Sequence, residues 1–341
     1  MEGFEKEFSG RMVLVTGGAG FIGSEVVNQL SNFGAKVTVL DNFISGKKEY
    51  LKNLDVEIIH ADVCDKRAVF DIVKDQEIVF HLAALPFIPD CYLGPEEFFR
   101  INTMGTVNLL WEAIQSESVK KFIHVSTSEV YGTARYVPMG EDHPLLPHST
   151  YAVSKLAAEK AVFTMHKEQG FPVVIIRPFN SYGPRITQPY IIPEIITQLL
   201  QGDSLKLGNI ESSRDFTYVE DTAKGIELAA VKRQVVGEII NIGSGKDYKI
   251  KELAMIIAKI LGKKNTAKIT LDEGRLRPYD VDRLTCKNEK ARKLLGWQPK
   301  ISVEDGLKRT VDWVKNNKLE FKEPFRGWPR LFKKSLRANA K

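Results

Sequence analysis

At 341 residues the chain exceeds one minimal domain and suits one large domain or two intimately joined ones. With 43% apolar and 27% charged residues it has the balance of a soluble globular protein, and no apolar run approaches the ~18 residues of a membrane span. The net charge of +6 is carried by the last 24 residues, which hold eight Lys/Arg and two Glu, so the body is balanced and no nucleic-acid-wrapping face is expected.

Three scattered cysteines, Cys64, Cys91 and Cys286, argue against a disulfide framework and against cysteine-rich metal spacing. No metal site is expected. The charged segment Met1 to Arg11 lacks the apolar core of a signal peptide, which leads us to expect a cytoplasmic protein.

In chain order, Arg11 to Thr16 is a largely apolar run rich in β-branched residues, as in a strand buried on both faces of a parallel sheet. Gly17-Gly18-Ala19-Gly20-Phe21-Ile22-Gly23 follows, then a helical pattern from Ser24 to Phe33 that Gly34 stops. Lys36 to Asp41 is a second strand ending in an acid. Strand, glycine turn, helix, strand and acid in this order form the context of a dinucleotide fingerprint. The glycines permit a tight turn and close backbone approach, and the helix N-terminus offers N–H groups to a pyrophosphate. Asp41 is placed to accept both ribose hydroxyls. A carboxylate there repels a 2′-phosphate, and Asn42-Phe43-Ile44 supplies no arginine to hold one, so NAD is favoured over NADP.

The alternation continues with strands Val56 to His60, Ile78 to Leu82 and Phe122 to Ser126, and a helix from Asn102 to Gln115. Asp62-Val63 follows the first of these strands, where an acid can bond an adenine amine. Ala83-Ala84 follows the second, small enough for backbone to pass close to a cofactor. His81 and His124 lie inside apolar runs and read as satisfied core histidines. The strand before Thr127 ends in Thr127-Ser128-Glu129, an unusually polar finish for a core strand. Tyr151 and Lys155 share one face of a helix running to Glu168. Pro172 to Arg177 is the next strand, and Pro178-Phe179-Asn180 closes it. The fold class is α/β, a Rossmann-type doubly wound parallel sheet. Past Arg185 the pattern loosens into a helix from Ile191 to Leu200, a strand from Glu238 to Ile242 and a helix from Ile250 to Leu261. We expect a dinucleotide-binding domain over 1–180 with a strand returning near 237–242. A smaller, discontinuous lobe over 181–317 then closes the substrate side, and a basic tail occupies 318–341.

Gly17-x-x-Gly20-x-x-Gly23, Asp62-Val63, the small pair after Leu82, Tyr151-x-x-x-Lys155 and Arg177-Pro178-Phe179-Asn180-x-Tyr182-Gly183-Pro184 stand in the order and spacing of one family. The chain resembles the extended short-chain dehydrogenase/reductases that act on nucleotide sugars, over roughly residues 9–317. That resemblance implies NAD contacts from Gly17, Gly20, Phe21, Ile22 and Gly23, from Asp41 and Asn42, and from Asp62 and Val63. Further contacts fall on Leu82, Ala83, Ala84, Asn102, Tyr151, Lys155 and Pro178. It implies substrate contacts from Thr127, Asn180, Arg185, Leu207, Arg214 and Arg277, with Arg275 a further candidate. Tyr151 is then the general base, its phenolate stabilised by the Lys155 ammonium and a nicotinamidium.

The catalytic set that the resemblance implies is Thr127, Ser128, Glu129, Tyr151 and Lys155. Epimerases of this family typically carry small or neutral residues where this chain has Ser128-Glu129, whereas 4,6-dehydratases carry an acid pair or Ser-Glu. The resemblance therefore implies a nucleotide-sugar 4,6-dehydratase, with UDP-N-acetylglucosamine as the foremost substrate, ahead of GDP-linked sugars and dTDP-glucose. A 4-epimerase or a 5,6-dehydratase of the same fold is the alternative. A homodimer through helices 102–115 and 151–168 is also implied.

Overall fold

The computed structural model describes residues 3–277, 279–317 and 319, so the expected basic tail lies almost wholly outside the described residues. Its central sheet is built from β1 (Met12–Thr16), β2 (Lys36–Asp41), β3 (Val56–His60), β4 (Ile78–His81), β5 (Lys121–Val125), β6 (Val173–Pro178) and the strand Ile239–Ile242. The spatial order is Ile239–Ile242, β6, β5, β4, β1, β2, β3, with every neighbouring pair parallel. The chain steps outward from β1 to β3 and then jumps back to β4 on the other side of β1. This reversal opens a crevice at the carboxyl ends of β1 and β4, where such sheets bind ligands.

The apolar runs are explained by burial on both faces. Val13 and Val15 point into one core with Val26, Val27 and Leu30 of helix Phe21–Asn32 and Ile226 of helix Val219–Val231. Leu14 points the other way, into a core shared with Val69, Leu109, Leu110 and Val162. Alternate residues of one strand thus bind helices on opposite sides, which fixes register along the whole run.

Two helical segments differ from expectation. The helix expected from Asn102 is preceded by the short helix Pro95–Phe98 and a π-helical stretch Phe99–Gly105, and only Thr106–Gln115 is α-helical. The wider turn carries Asn102, whose amide exchanges bonds with the Leu85 backbone (2.8 and 3.2 Å) and reaches the Ser154 hydroxyl at 3.0 Å. Helix Val219–Val231 went unanticipated because Gly225 interrupts its pattern. A Cβ at Gly225 would stand 2.8 Å from the Ile242 side chain, so glycine is what lets helix and sheet approach here.

A second core packs Ile195, Ile196 and Leu199 against Leu253, Ile257, Leu307 and Val311, joining helices Ile191–Gln201, Ile250–Ile260 and Val303–Asn316. Beside it lie a three-stranded sheet (Asp247–Lys249, Ser213–Tyr218, Asn180–Tyr182) and a parallel pair (Ser204–Leu207 with Lys268–Leu271). Among the described residues no helix is long and apolar enough to cross a membrane.

Candidate active site

A cavity of about 460 Å³ runs from the glycine turn after β1, past the ends of β4 and β5, to the segment around Arg277. At its first end the glycines are required by geometry. Gly17 has φ of 69°, and a Cβ there would stand 2.7 Å from the Ala83 backbone nitrogen. A Cβ at Gly23 would run into the Gly17 carbonyl. The helix starts at Phe21, and its first intrahelical bond runs from Ser24 N–H to Gly20 (2.9 Å), so the preceding N–H groups are left for a ligand. Asp41 accepts from the backbone N–H groups of Ala19 (2.9 Å) and Phe43 (2.8 Å); its burial nevertheless raises its pKa. The carboxylate at the end of β2 therefore also braces the glycine loop. This cradle, closed to any side chain at Gly17 and Gly23, fits a dinucleotide.

Around the end of β5 the polar finish folds into a 3₁₀ turn, Ser128–Tyr131, capped by Thr127, whose hydroxyl accepts from Glu129 N–H at 3.2 Å. Opposite, Ser149 caps helix Thr150–Gln169 by accepting from Ala152 N–H (3.1 Å), which sets Tyr151 and Lys155 one turn apart on the cavity side. Tyr151 hydrogen-bonds the Thr127 side chain. Burial nevertheless pushes its phenol up to about 12, with the Glu129 charge adding to the rise and Thr127 opposing it. Lys155 donates to the Val125 carbonyl at 2.7 Å, and burial brings its ammonium down to about 8 against the pull of Glu159. In the protein alone desolvation outweighs the Thr127 hydrogen bond, and the phenolate expected from Lys155 together with a nicotinamidium belongs to the cofactor-bound state.

At the far end Arg214 and Arg277 both reach one oxygen of Asp280, each at 3.4 Å. Burial lowers the Arg214 pKa, while Glu129 and Asp280 oppose the fall, so Arg214 lies within the field of the turn that carries Glu129. Asn180 lines the cavity with its Oδ1 buried and without a partner among the described residues, an acceptor left for a ligand. Leu207 and Arg275 line the same end, the latter paired with Glu194 at 2.8 Å.

Most residues singled out from sequence converge on this cavity, including Gly20, Phe21, Ile22, Asn42, Val63, Leu82, Ala84 and Pro178. Four do not line it. Ser128 is buried inside the turn. Asn102 braces the Leu85 backbone. Asp62 accepts from Asn42 (3.1 Å) and Cys64 N–H (2.8 Å); burial favours its neutral form, but these bonds and the Arg100 charge outweigh it and lower its pKa. Arg185 turns to Ser24 (3.2 Å) and forms an ion pair with Glu25 on the first helix.

Phe87 and Tyr190, packed edge to face at 5.9 Å, are wall residues that went unrecognised, as were Glu194 and Asp280. The only available signal was position, after the small pair and at the start of a helix. His81 is satisfied, with ring nitrogens 2.8 Å from the Thr16 and Thr106 hydroxyls. His124 corrects its reading, since both its ring nitrogens are buried without partners among the described residues.

The family model for GDP-mannose 4,6-dehydratase matches residues 14–310. The chain is 36% identical over 318 residues to a UDP-N-acetyl-alpha-D-glucosaminuronate decarboxylase of Bacillus cytotoxicus, covering 89% of this chain and 97% of that protein. Among solved structures, it is similar to a UDP-N-acetylglucosamine 4-epimerase from Methanobrevibacter ruminantium in complex with UDP-N-acetylmuramic acid. That likeness has a TM-score of 0.83 at 33% identity, over 90% of this chain and 99% of that one. It is equally similar to the dTDP-glucose 4,6-dehydratase DesIV of Streptomyces venezuelae with NAD and TYD bound, with a TM-score of 0.83 at 32% identity, over 90% and 97% of the two chains. Sheet order, glycine cradle, the Tyr151/Lys155 face and a match spanning most of the sequence agree, and the chain belongs to the GDP-mannose 4,6-dehydratase family of nucleotide-sugar enzymes.

Proposed function

We propose that this protein is an NAD-dependent nucleotide-sugar 4,6-dehydratase whose foremost substrate is UDP-N-acetylglucosamine. The observation that carries the reading is the place of Glu129, on the cavity wall and close enough to Tyr151 and Arg214 to shift both. NAD, held in the glycine cradle, supplies the hydride acceptor for C4 and the donor for C6. Tyr151 takes the proton of the 4-hydroxyl, which Thr127 helps to orient. Once C4 is a ketone the C5 proton is acidic, and Glu129 is the carboxylate that removes it. Loss of water across C5–C6 needs a proton on the leaving hydroxyl. Ser128 is buried and carries no acid, so Glu129 gives the proton it took to the leaving hydroxyl. Once hydride has returned to C6, Glu129, reprotonated from solvent, delivers a proton to C5, balancing the 4-hydroxyl proton that Tyr151 releases. Arg214 and Arg277 hold the diphosphate, where guanidinium forks suit phosphate oxygens.

An epimerase needs Tyr151, Thr127 and Lys155 but has no use for Glu129. Decarboxylation of a hexuronate, the activity named for the Bacillus cytotoxicus relative, is the second reading. It is favoured by the lack of a second acid beside Glu129. A panel of UDP-N-acetylglucosamine, GDP-mannose, dTDP-glucose and a UDP-hexuronate, read by mass spectrometry, separates the three. Loss of one water supports the proposal. Loss of carbon dioxide, or an unchanged mass with altered stereochemistry, overturns it.

A further inference from the structure

Beneath the catalytic turn lies a buried polar network that the proposed chemistry does not use. Glu159, two turns beyond Tyr151 on the same helix, is fully buried and forms an ion pair with Arg177 of β6, itself 1% exposed. Glu159 Oε2 accepts from the Ser126 hydroxyl at 2.8 Å and from Arg177 Nε at 2.9 Å. Arg177 Nη1 donates to the Tyr131 hydroxyl at 2.7 Å, and its guanidinium stacks 4.8 Å from the Tyr131 ring centroid. The Tyr131 hydroxyl in turn donates to Asn241 Oδ1 at 2.7 Å on the last strand of the sheet.

Ser126 and Tyr131 bracket the turn that carries Thr127 and Glu129. We propose that the Glu159–Arg177 pair is a clamp, gripping this turn at both ends through Ser126 and Tyr131, and that Ser126, Tyr131, Glu159 and Arg177 are positioning residues for Glu129. The inference rests on the role given to Glu129 above. Core packing alone would not need it: an apolar pair of the same volume fills such space at no greater cost than a buried ion pair. What the pair adds is direction, because each hydrogen bond fixes one end of a four-residue turn relative to the helix that bears Tyr151 and Lys155. A reacting group displaced by ~1 Å loses on the order of 10²-fold in rate.

The test uses Tyr131→Phe and Ser126→Ala, each of which removes one hydroxyl and leaves the ion pair in place. Two measurements are made on each variant of the full chain. Amide hydrogen exchange across 127–131 should quicken at least about tenfold over wild type while the helix over 150–169 is unchanged. In the substrate panel, kcat should fall by about tenfold to a hundredfold with KM within twofold. Unchanged exchange in both variants overturns the clamp whichever reaction the enzyme performs. Quickened exchange with wild-type kcat on a substrate that does lose water overturns the positioning role and leaves the dehydratase reading intact. Should Tyr131→Phe fold poorly, Ser126→Ala carries the same two readouts at the other end of the turn.

Discussion

On the role proposed for it, Lys155 sets the pH range in which the site works. Its folded pKa of about 8 lies below its ordinary value of 10.5 because the ammonium is buried. Below pH 8 it is charged in both folded and unfolded chains, and its desolvation opposes folding. Between about 8 and 10.5 the unfolded chain binds the extra proton, so this residue's contribution to stability improves as pH rises. On the proposed mechanism activity runs the other way, since the charged ammonium, with a nicotinamidium, is the group assigned to favour a Tyr151 phenolate. We expect kcat/KM to fall as pH rises through about 8. A profile that stays flat two units higher would contradict the role given to Lys155. Glu129→Gln tests the other half of the site. It should keep NAD affinity within about twofold by calorimetry while lowering water loss by at least the ~10²-fold typical of a lost general base.

The helix Val219–Val231 shows how an element can be necessary and yet hard to read. Its glycine, alanines and interspersed acids resemble a loop, and only its contact with the sheet explains Gly225. It also carries Glu227, fully buried and with neither carboxylate oxygen partnered among the described residues. Burial and the nearby Glu25 raise its pKa well above the usual range. An acid with a raised folded pKa favours the fold below its unfolded pKa, ~4.5, and that contribution is lost as pH rises through the folded value. Glu227→Gln should therefore raise Tm at pH 7 and do so less at pH 4.5. An equal shift at both pH values would sink this reading of the buried carboxyl.

The strands of the main sheet, by contrast, were legible because burial on both faces demands unbroken apolar runs, as in Val13-Leu14-Val15. The π-helical stretch around Asn102 was not, since its register depends on contacts with Leu85, seventeen residues earlier.

At the scale of the molecule, the crevice exists because the chain reverses direction between β3 and β4, and this follows from the order of strands rather than any one residue. The glycine cradle was readable because steric demand leaves only one residue type. That Arg185 turns away from the cavity was not legible, because its partners Ser24 and Glu25 are brought to it only by the tertiary fold. The helices over 95–115 and 150–169 leave Met104, Trp111 and Val153 exposed on the surface. We expect these to pack on a second copy. Trp111→Glu should convert a dimer into a monomer by light scattering, and a wild-type protein that is already monomeric would contradict that assembly.

The central claim is that Glu129 moves the C5 proton, and the most direct measurement is the fate of that proton. UDP-N-acetylglucosamine, turned over in deuterated water and read by NMR and mass spectrometry, should give a 4-keto-6-deoxy product with one solvent deuterium at C5, and Glu129→Gln should abolish its formation. A product with no solvent label at C5, or an equally labelled product at wild-type rate from Glu129→Gln, would contradict the account.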